Sequence, residues 1–168
     1  SEAREEQGFV TDQDNGIVFQ PRQAADTEPV RAALLEFARA ANDALDACGF
    51  TRCKGNIMAG NPEWCLSLEE WKARFSSWIR ATTPTALLNA TIFFDLRPIH
   101  GDDRLAEAML DNLLSESKGN TLFLHQMAVN ALGIAPPIGR FSRFSTDGGK
   151  HRGTIDLKTQ GSRLFVDV

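Results

Sequence analysis

Two short apolar runs along the chain predict β-strands. Gly16-Ile17-Val18-Phe19 follows an acidic turn and is closed by Pro21, so we predict a strand from about Asp14 to Gln20. Residues 89–95 carry an apolar run, interrupted by Thr91, that ends at Asp95, which predicts a second strand that is buried on both faces. Each predicted strand therefore has a carboxylate at one of its ends.

Helical spacing of apolar residues predicts two helices in the first part of the chain. Thr27 is suited to cap a helix that has Pro29 in its first turn and ends at Gly49. The apolar positions that predict one buried face of this helix are Val30, Leu34, Leu35, Phe37, Ala38, Ala41 and Leu45. Ser67-Leu68-Glu69-Glu70 is a capping box that opens the second helix. Its aromatic stripe favours core packing over a platform for stacking bases, and consists of Trp71, Phe75 and Trp78.

Two more helices are predicted after Asp102. The first carries apolar residues from Leu105 to Leu114, and the second carries them from Leu122 to Leu132 before Gly133. We therefore predict an α+β architecture, in which an α/β part, residues 1–98, precedes a helical part, residues 99–168.

Composition restricts the classes of function. The 168 residues are 42% hydrophobic and 24% charged, which is typical of a globular protein. The net charge of -4 argues against a nucleic-acid partner held by bulk electrostatics, and no apolar run approaches the ~18 residues of a membrane span. Cys48, Cys53 and Cys65 lack paired CxxC spacing, so we predict reduced thiols in a cytoplasmic protein. Because the chain does not begin with Met, we expect it to be part of a longer protein.

Asp12 and Asp14 are the first candidates for chemistry. Residues two apart on an extended chain point to the same side, so the two carboxylates are expected to lie about one ligand width apart. Such like charges repel, and a bound divalent cation such as Mg²⁺ keeps both ionised. Together with Asp95, they would place three carboxylates around one or two cations, which suits in-line displacement at a phosphoryl group. On spacing alone, a solvated acidic turn before a strand explains the pair equally well.

The motifs around the acidic pair carry a family resemblance. Ser1-Glu2-Ala3-Arg4-Glu5-Glu6-Gln7, followed by Thr11-Asp12-Gln13-Asp14-Asn15, closely resembles the active-site motif of the polymerase-beta-like nucleotidyltransferase superfamily. The resemblance is specifically to the nucleotidyltransferases joined to CBS or cyclic-nucleotide-binding domains in bacterial signalling proteins. These are similar to the uridylyltransferase that modifies the nitrogen-regulatory PII protein. The resemblance continues through Gly55-Asn56-Ile57-Met58-Ala59, Asn61-Pro62-Glu63-Trp64, Phe93-Phe94-Asp95-Leu96-Arg97-Pro98, His100-Gly101-Asp102 and Ile155-Asp156-Leu157-Lys158.

The resemblance implies roles for the acidic residues and for the first residue of the chain. Asp12 and Asp14 are implied to be metal ligands, with Mg²⁺ as the cofactor in a two-metal site. Asp95 is implied to be the third ligand and to activate the incoming nucleophile. Ser1 is implied to contact the nucleotide phosphates. The chain departs from the family pattern at Glu5, where members often have Gly.

The resemblance also implies a fold and a division into domains. Residues 1–98 are expected to form a mixed-sheet nucleotidyltransferase core whose N-terminal part precedes this chain. Residues 99–168 are expected to belong to a helical substrate-binding bundle that continues beyond it.

Three basic residues are candidates for binding the nucleotide. Arg4 and Arg97 lie beside acidic positions, where either is able to hold a triphosphate bidentately or to pair with a neighbouring carboxylate. The resemblance of Lys158 to the family's Asp-Leu-Lys motif suggests a substrate or phosphate contact, and a solvated surface lysine is the alternative.

These observations predict the transfer of a nucleoside monophosphate from a nucleoside triphosphate to an acceptor, with release of pyrophosphate. By resemblance, the acceptor is a tyrosine on a PII-like regulatory protein, and sensory domains are fused to the parent protein. Two alternatives remain open. One is a catalytically silent nucleotide-binding sensor, which retention of three carboxylates disfavours, and the other is a nucleotidyltransferase that modifies a small hydroxylated molecule such as an aminoglycoside.

Overall fold

A computed structural model of the chain describes residues 11–81, 83–133, 135–139, 144–146, 153–157 and 161. Within these residues helices dominate, and two short strands form a sheet. The strands are β1 (Ile17–Phe19) and β2 (Cys65–Ser67), and the helices are α1 (Thr27–Ala47), α2 (Leu68–Ala81), α3 (Pro84–Phe93), α4 (Asp103–Lys118) and α5 (Thr121–Leu132). Short 3-10 turns, Ala24–Asp26 and Pro62–Trp64, precede α1 and β2.

The sheet is a parallel pair that is covered on both faces. Val18 of β1 lies opposite Leu66 of β2, and α1 supplies the crossover that parallel neighbours need. Because side chains alternate along a strand, Phe19 and Cys65 pack on Leu35 of α1, whereas Val18 and Leu66 join a larger core on the other side. The strand predicted before Gln20 is confirmed in a shorter form.

The buried face of α1 differs in part from its apolar pattern. The positions that are buried or half-buried as predicted are Val30, Leu34, Leu35, Ala38 and Ala41. Phe37 is 66% exposed and Leu45 is 38% exposed, so their predicted place on this face was wrong. Arg31 and Asn42 are buried instead, because the buried stripe continues through their positions and their polar groups find partners on other elements.

The predicted capping box at the start of α2 is confirmed. One Glu70 carboxylate oxygen accepts hydrogen bonds from the backbone N–H and the hydroxyl of Ser67, both at 2.7 Å. Arg31 donates to the other Glu70 oxygen at 2.6 Å and to the Cys65 carbonyl at 2.6 Å. Burial opposes ionisation of Glu70, but these hydrogen bonds outweigh it and lower the pKa of this carboxyl. The start of α2 is thereby joined to α1 and β2.

The aromatic stripe of α2 forms the main core, as predicted. Trp71, Phe75 and Trp78 are buried. The Phe93 ring stacks on Trp64, with 4.6 Å between centroids, and lies 5.3 Å from the Trp71 ring. The residues of α4 that complete this cluster are Leu105, Ala108, Met109 and Leu113. Helices from both halves of the chain therefore share one hydrophobic core.

The predicted second strand, residues 89–95, is wrong, because this segment belongs to α3 and the turn after it. Thr83 caps the helix, and Pro84 occupies the first turn, where a missing N–H costs nothing. A helix buried on several sides is apolar nearly throughout, and so a short apolar run does not distinguish it from a strand. Asp95 therefore follows a helix. Three residues of α3 and the turn after it pack against α2 and α5 at helical spacing. They are Leu87, Ala90 and Phe94.

Both helices predicted after residue 101 are confirmed. Asp102 caps α4 by accepting from the backbone N–H of Arg104 at 3.1 Å, and Asn120 caps α5 by accepting from Phe123 at 2.9 Å. The balance of helices and a small sheet is consistent with the α+β class. The mixed-sheet core and the domain boundary at residues 98 and 99 stay predictions. Within the described part of the chain, no helix is both long and apolar enough to cross a membrane.

Candidate functional site

Asp12 and Asp14 lie on a short extended segment just before β1. Asp12 forms an isolated parallel bridge with Thr51, and the Gln13 backbone N–H donates to the Thr51 carbonyl at 2.8 Å. Two residues later, the Asn15 N–H donates to the Ile57 carbonyl at 3.2 Å. The loop that follows α1 therefore holds residues 12–15 in an extended form, as the spacing of the two carboxylates requires.

The side chains of this segment alternate between solvent and the interior. Asp12 and Asp14 are exposed, whereas Gln13 is 4% exposed and Asn15 is half-buried. An extended backbone points alternate residues to opposite sides, so the two carboxylates share the outer side. The predicted pairing of these two acidic residues is therefore matched by their exposure.

Amide side chains hold the inner side of the segment in place. The Gln13 amide nitrogen donates to the Phe50 carbonyl at 2.8 Å and to the Asn42 carbonyl at 3.0 Å. The Asn42 amide nitrogen donates back to the Gln13 side-chain oxygen at 2.8 Å. The Asn15 side-chain oxygen accepts from the Ala59 N–H at 2.8 Å. Buried polar groups are costly unless they are paired, and these groups are paired.

Asp14 has a thiol partner in Cys53. Asp14 is exposed as a residue, but its carboxyl is partly desolvated, and this raises its pKa. Repulsion from Asp12 adds to the increase, whereas a hydrogen bond from the Cys53 thiol acts in the opposite direction. The pKa of the Cys53 thiol is also raised, first by burial, although hydrogen bonding from the backbone N–H groups of Ile57 and Gly55 acts to lower it. Asp14 is thus a carboxylate whose negative charge its surroundings only partly stabilise.

The thiol contact leads to a first prediction. Replacing Cys53 by Ala removes a donor to the ionised carboxylate, so the pKa of Asp14 is expected to rise further above its usual value. NMR titration of the Asp14 carboxyl carbon measures this change. Cys53→Ser keeps an O–H donor and is the matched control, expected to stay closer to the wild-type pKa. An unchanged pKa in Cys53→Ala would show that the thiol does not support this charge.

The acidic pair fits a hard divalent cation. Carboxylate oxygens are the ligands that Mg²⁺ prefers, and proteins commonly bind it through one or two carboxylates while water and substrate phosphates complete its coordination. A cation beside Asp12 and Asp14 would also offset the desolvation and the smaller repulsion from Asp12 that raise the pKa of Asp14. Among the residues that the structure describes, no three His, Cys, Asp or Glu side chains form a group able to hold a metal ion.

Asp95 and Arg97 lie in the turn between α3 and α4. Asp95 is half-buried and Arg97 is exposed. This turn is tied to β1 through aromatic rings, because Phe93 packs on Trp71, whose indole N–H donates to the Ile17 carbonyl at 2.9 Å. The end of α3 and the start of β1 therefore meet the same core. The structure does not bring Asp95 into one metal-binding group with the acidic pair.

Three predicted site residues, Ser1, Arg4 and Lys158, lie outside the described residues. Their assignment to nucleotide binding stays a prediction. The three cysteines are all free, as predicted from their spacing.

Asn42 and Cys53 are residues of the site that sequence reasoning missed. Asn42 stands on the buried stripe of α1, and a polar residue at a buried helical position was the available signal. Cys53 carried no such signal, because its contact with Asp14 crosses from one loop to another and depends on the fold.

Comparison with known families adds to this geometry. Residues 1–85, just over half of the chain, match the model of the family described as "Putative nucleotidyltransferase DUF294". Residues 121–168 match the model described as "Putative nucleotidyltransferase substrate binding domain". Searches of curated proteins and of solved structures gave no match. Since the first model covers half of the chain and the second follows it in order, the chain belongs to the nucleotidyltransferase family DUF294.

Proposed function

We propose that this chain transfers a nucleoside monophosphate from a nucleoside triphosphate to an acceptor, with Mg²⁺ bound at Asp12 and Asp14. Family membership supports nucleotidyl transfer in general. The observation that carries the finer proposal is the alternation of the segment 12–15, which exposes two carboxylates on one side and anchors the amides of Gln13 and Asn15 on the other.

The residues of the proposed site have different roles in binding the cation and the nucleotide. Asp12 and Asp14 would hold the cation on the outer side of their segment. Mg²⁺, when bound there, supplies charge neutralisation for the triphosphate and for the oxygens that attack and leave. Arg97 is exposed in the turn after α3 and is suited to contact phosphate oxygens. Ser1, Arg4 and Lys158 are proposed as further phosphate contacts on the strength of the resemblance alone.

Asp95 is proposed to accept the proton of the incoming nucleophile. Asp95 is half-buried in the turn after α3, and a carboxylate is one of the side chains that accept a proton in general base catalysis. If Asp95 also contributes to cation binding, as the resemblance implies, the turn after α3 has to approach the acidic pair when substrate binds.

The acceptor is proposed to be a protein hydroxyl. Resemblance to the uridylyltransferase of PII points to a tyrosine on a PII-like regulatory protein in bacterial signalling, with fused sensory domains controlling the reaction. The matched substrate-binding model over residues 121–168 leaves α5 as the described helix best placed to contribute to acceptor binding.

An assay of pyrophosphate release tests the proposed reaction. The full chain is incubated with Mg²⁺, each of the four ribonucleoside triphosphates, and either a PII-like protein or a hydroxylated small molecule. The proposal predicts Mg²⁺-dependent release with the protein acceptor and covalent attachment of the nucleotide. Pyrophosphate release only with the small molecule would show that the acceptor is a small molecule and not a protein. Nucleotide binding without turnover for any acceptor would contradict the proposed activity.

Replacing Asp95 by Asn is expected to lower kcat by roughly 100- to 10,000-fold, which is the usual contribution of a general base. Affinity for the Mg²⁺–nucleotide complex should fall much less, because the acidic pair remains. Steady-state kinetics and nucleotide titration separate the two effects. Asp111→Asn, at an exposed carboxylate on α4, is the matched control. Wild-type kcat in Asp95→Asn would remove Asp95 from the reaction.

A further inference from the structure

The side chain of Asn42 makes three hydrogen bonds, and none of them joins it to its own helix. Its amide nitrogen donates to the side-chain oxygens of Gln13, at 2.8 Å, and Asn15, at 3.1 Å. Its side-chain oxygen accepts from the backbone N–H of Gly60 at 3.0 Å. All of these partners belong to residues 12–15, called here the acidic segment, or to the loop after α1 that holds it.

Asparagine is an unfavourable choice for this position on general grounds. It has a low helix propensity, and it is 6% exposed on the interior face of α1, where an apolar side chain would gain burial without needing partners. The backbone has also adapted to it. A Cβ at residue 60 would lie 3.0 Å from the Asn42 oxygen and 3.1 Å from Cγ of Arg39, so Gly60 allows the loop to approach α1 closely.

The contacts of Asn42 reach the acidic pair through the backbone. Gln13 and Asn15 alternate with Asp12 and Asp14, so fixing the inner two side chains also fixes the direction of the outer two. Two neighbouring carboxylates repel, and an unanchored segment would relieve that repulsion by turning one of them away. An anchor on the inner side prevents this rotation.

We propose that Asn42 is a positioning residue, which holds Asp12 and Asp14 in a cation-binding arrangement before any cation binds. The inference rests on the proposed function, because it concerns the preparation of the same site. Loss of a hydrogen-bonded group that orients a metal ligand typically weakens metal binding by roughly 10- to 100-fold.

Calorimetric titration of Mg²⁺, in the presence of a non-hydrolysable nucleoside triphosphate analogue, tests the proposal. Asn42→Ala in the full chain is expected to bind Mg²⁺ roughly 10- to 100-fold more weakly than the wild type. Leu35→Ala is the matched control, since Leu35 is buried on the same helix in a hydrophobic cluster with residues of β1 and β2. This control should lose thermal stability and keep wild-type Mg²⁺ affinity.

A second variant and one measurement on the wild type guard against a folding defect. Gln13→Met preserves side-chain length, removes the same bridge from the other side, and should weaken Mg²⁺ binding to a similar extent. In the unmodified chain without Mg²⁺, the backbone amide hydrogens of Gln13 and Asn15 should exchange slowly with solvent. Wild-type Mg²⁺ affinity in both variants, or exchange of those amides at unfolded rates, would overturn the positioning role. If the wild type itself binds no Mg²⁺, the proposed function fails instead.

Discussion

Replacing Asp14 by Asn is expected to abolish Mg²⁺-dependent nucleotide binding while leaving the fold intact. Loss of an outer hydrogen-bond partner costs roughly 10- to 100-fold in metal affinity, and loss of a ligand itself should exceed that. Calorimetry with Mg²⁺ and a nucleoside triphosphate measures the effect on binding, and pyrophosphate release measures the effect on turnover.

Asp14→Asn is expected to weaken Mg²⁺ binding but not to lower the stability of the fold. The pKa of Asp14 in the folded chain lies above its ordinary value, so ionisation of Asp14 opposes folding at neutral pH, and this opposition disappears as pH falls through the folded pKa. Asn carries no charge and still accepts from Cys53. The unfolding free energy of Asp14→Asn at neutral pH should therefore equal or exceed that of the wild type. Unchanged Mg²⁺-dependent nucleotide binding by Asp14→Asn would show that Asp14 is not a metal ligand.

Replacing Phe75 by Ala is expected to lower the free energy of unfolding more than any other substitution proposed for this chain. Phe75 is 0% exposed, and its ring lies 5.6 Å from the rings of both Trp71 and Trp78 and 5.8 Å from that of Phe94. Truncation of a buried phenylalanine typically costs about 3–5 kcal/mol, a large part of the ~5–15 kcal/mol that stabilises an ordinary domain. Urea denaturation measures the free energy of unfolding.

Phe37→Ala is the matched control for this prediction. Phe37 lies on α1 and is 66% exposed, so its truncation should change the free energy of unfolding by less than about 0.5 kcal/mol. A comparable loss of stability in both variants would contradict the described packing of α1 and α2.

Local signals predicted much of the fold. The capping box at Ser67 and Glu70 and the end of α5 before Gly133 depend on residues close together in sequence, and both are confirmed. The predicted cap at Thr27 was wrong by one residue, because Thr27 is the first residue of α1 and Asp26 precedes it as the N-cap. The Trp71 stripe repeats at helical spacing, which the sequence displays directly. Such signals need no knowledge of the tertiary structure.

The second strand could not be predicted correctly from the same signals. Apart from Asn89 and Thr91, residues 89–93 are apolar because α3 is packed against α2 and α5, and burial on more than one side hides the helical period. Thr83 and Pro84 did signal a helix start, but the β-branched and aromatic residues after them favoured a strand. The tertiary packing of α3 overrides that propensity.

The candidate site, like the fold, could be predicted from the sequence only in part. The pairing of Asp12 and Asp14 was evident from their spacing, because alternation is a local property of extended chain. The bonds that orient them were not, because Asn42 lies 29 residues from Gln13 in the sequence and Cys53 is brought to Asp14 by the loop after α1. Contacts of this kind follow from the fold alone.

The most direct test of the central claim is to locate the bound cation. Mn²⁺, a paramagnetic substitute for Mg²⁺, is titrated into the isotopically labelled chain with a nucleoside triphosphate analogue, and amide resonance broadening is recorded along the sequence. Binding at the acidic pair predicts that broadening begins at residues 12–15 and at Cys53, and that the Asp12→Asn, Asp14→Asn double variant loses it. Broadening centred elsewhere, or retained in the double variant, would contradict the assignment of Asp12 and Asp14 as the metal ligands.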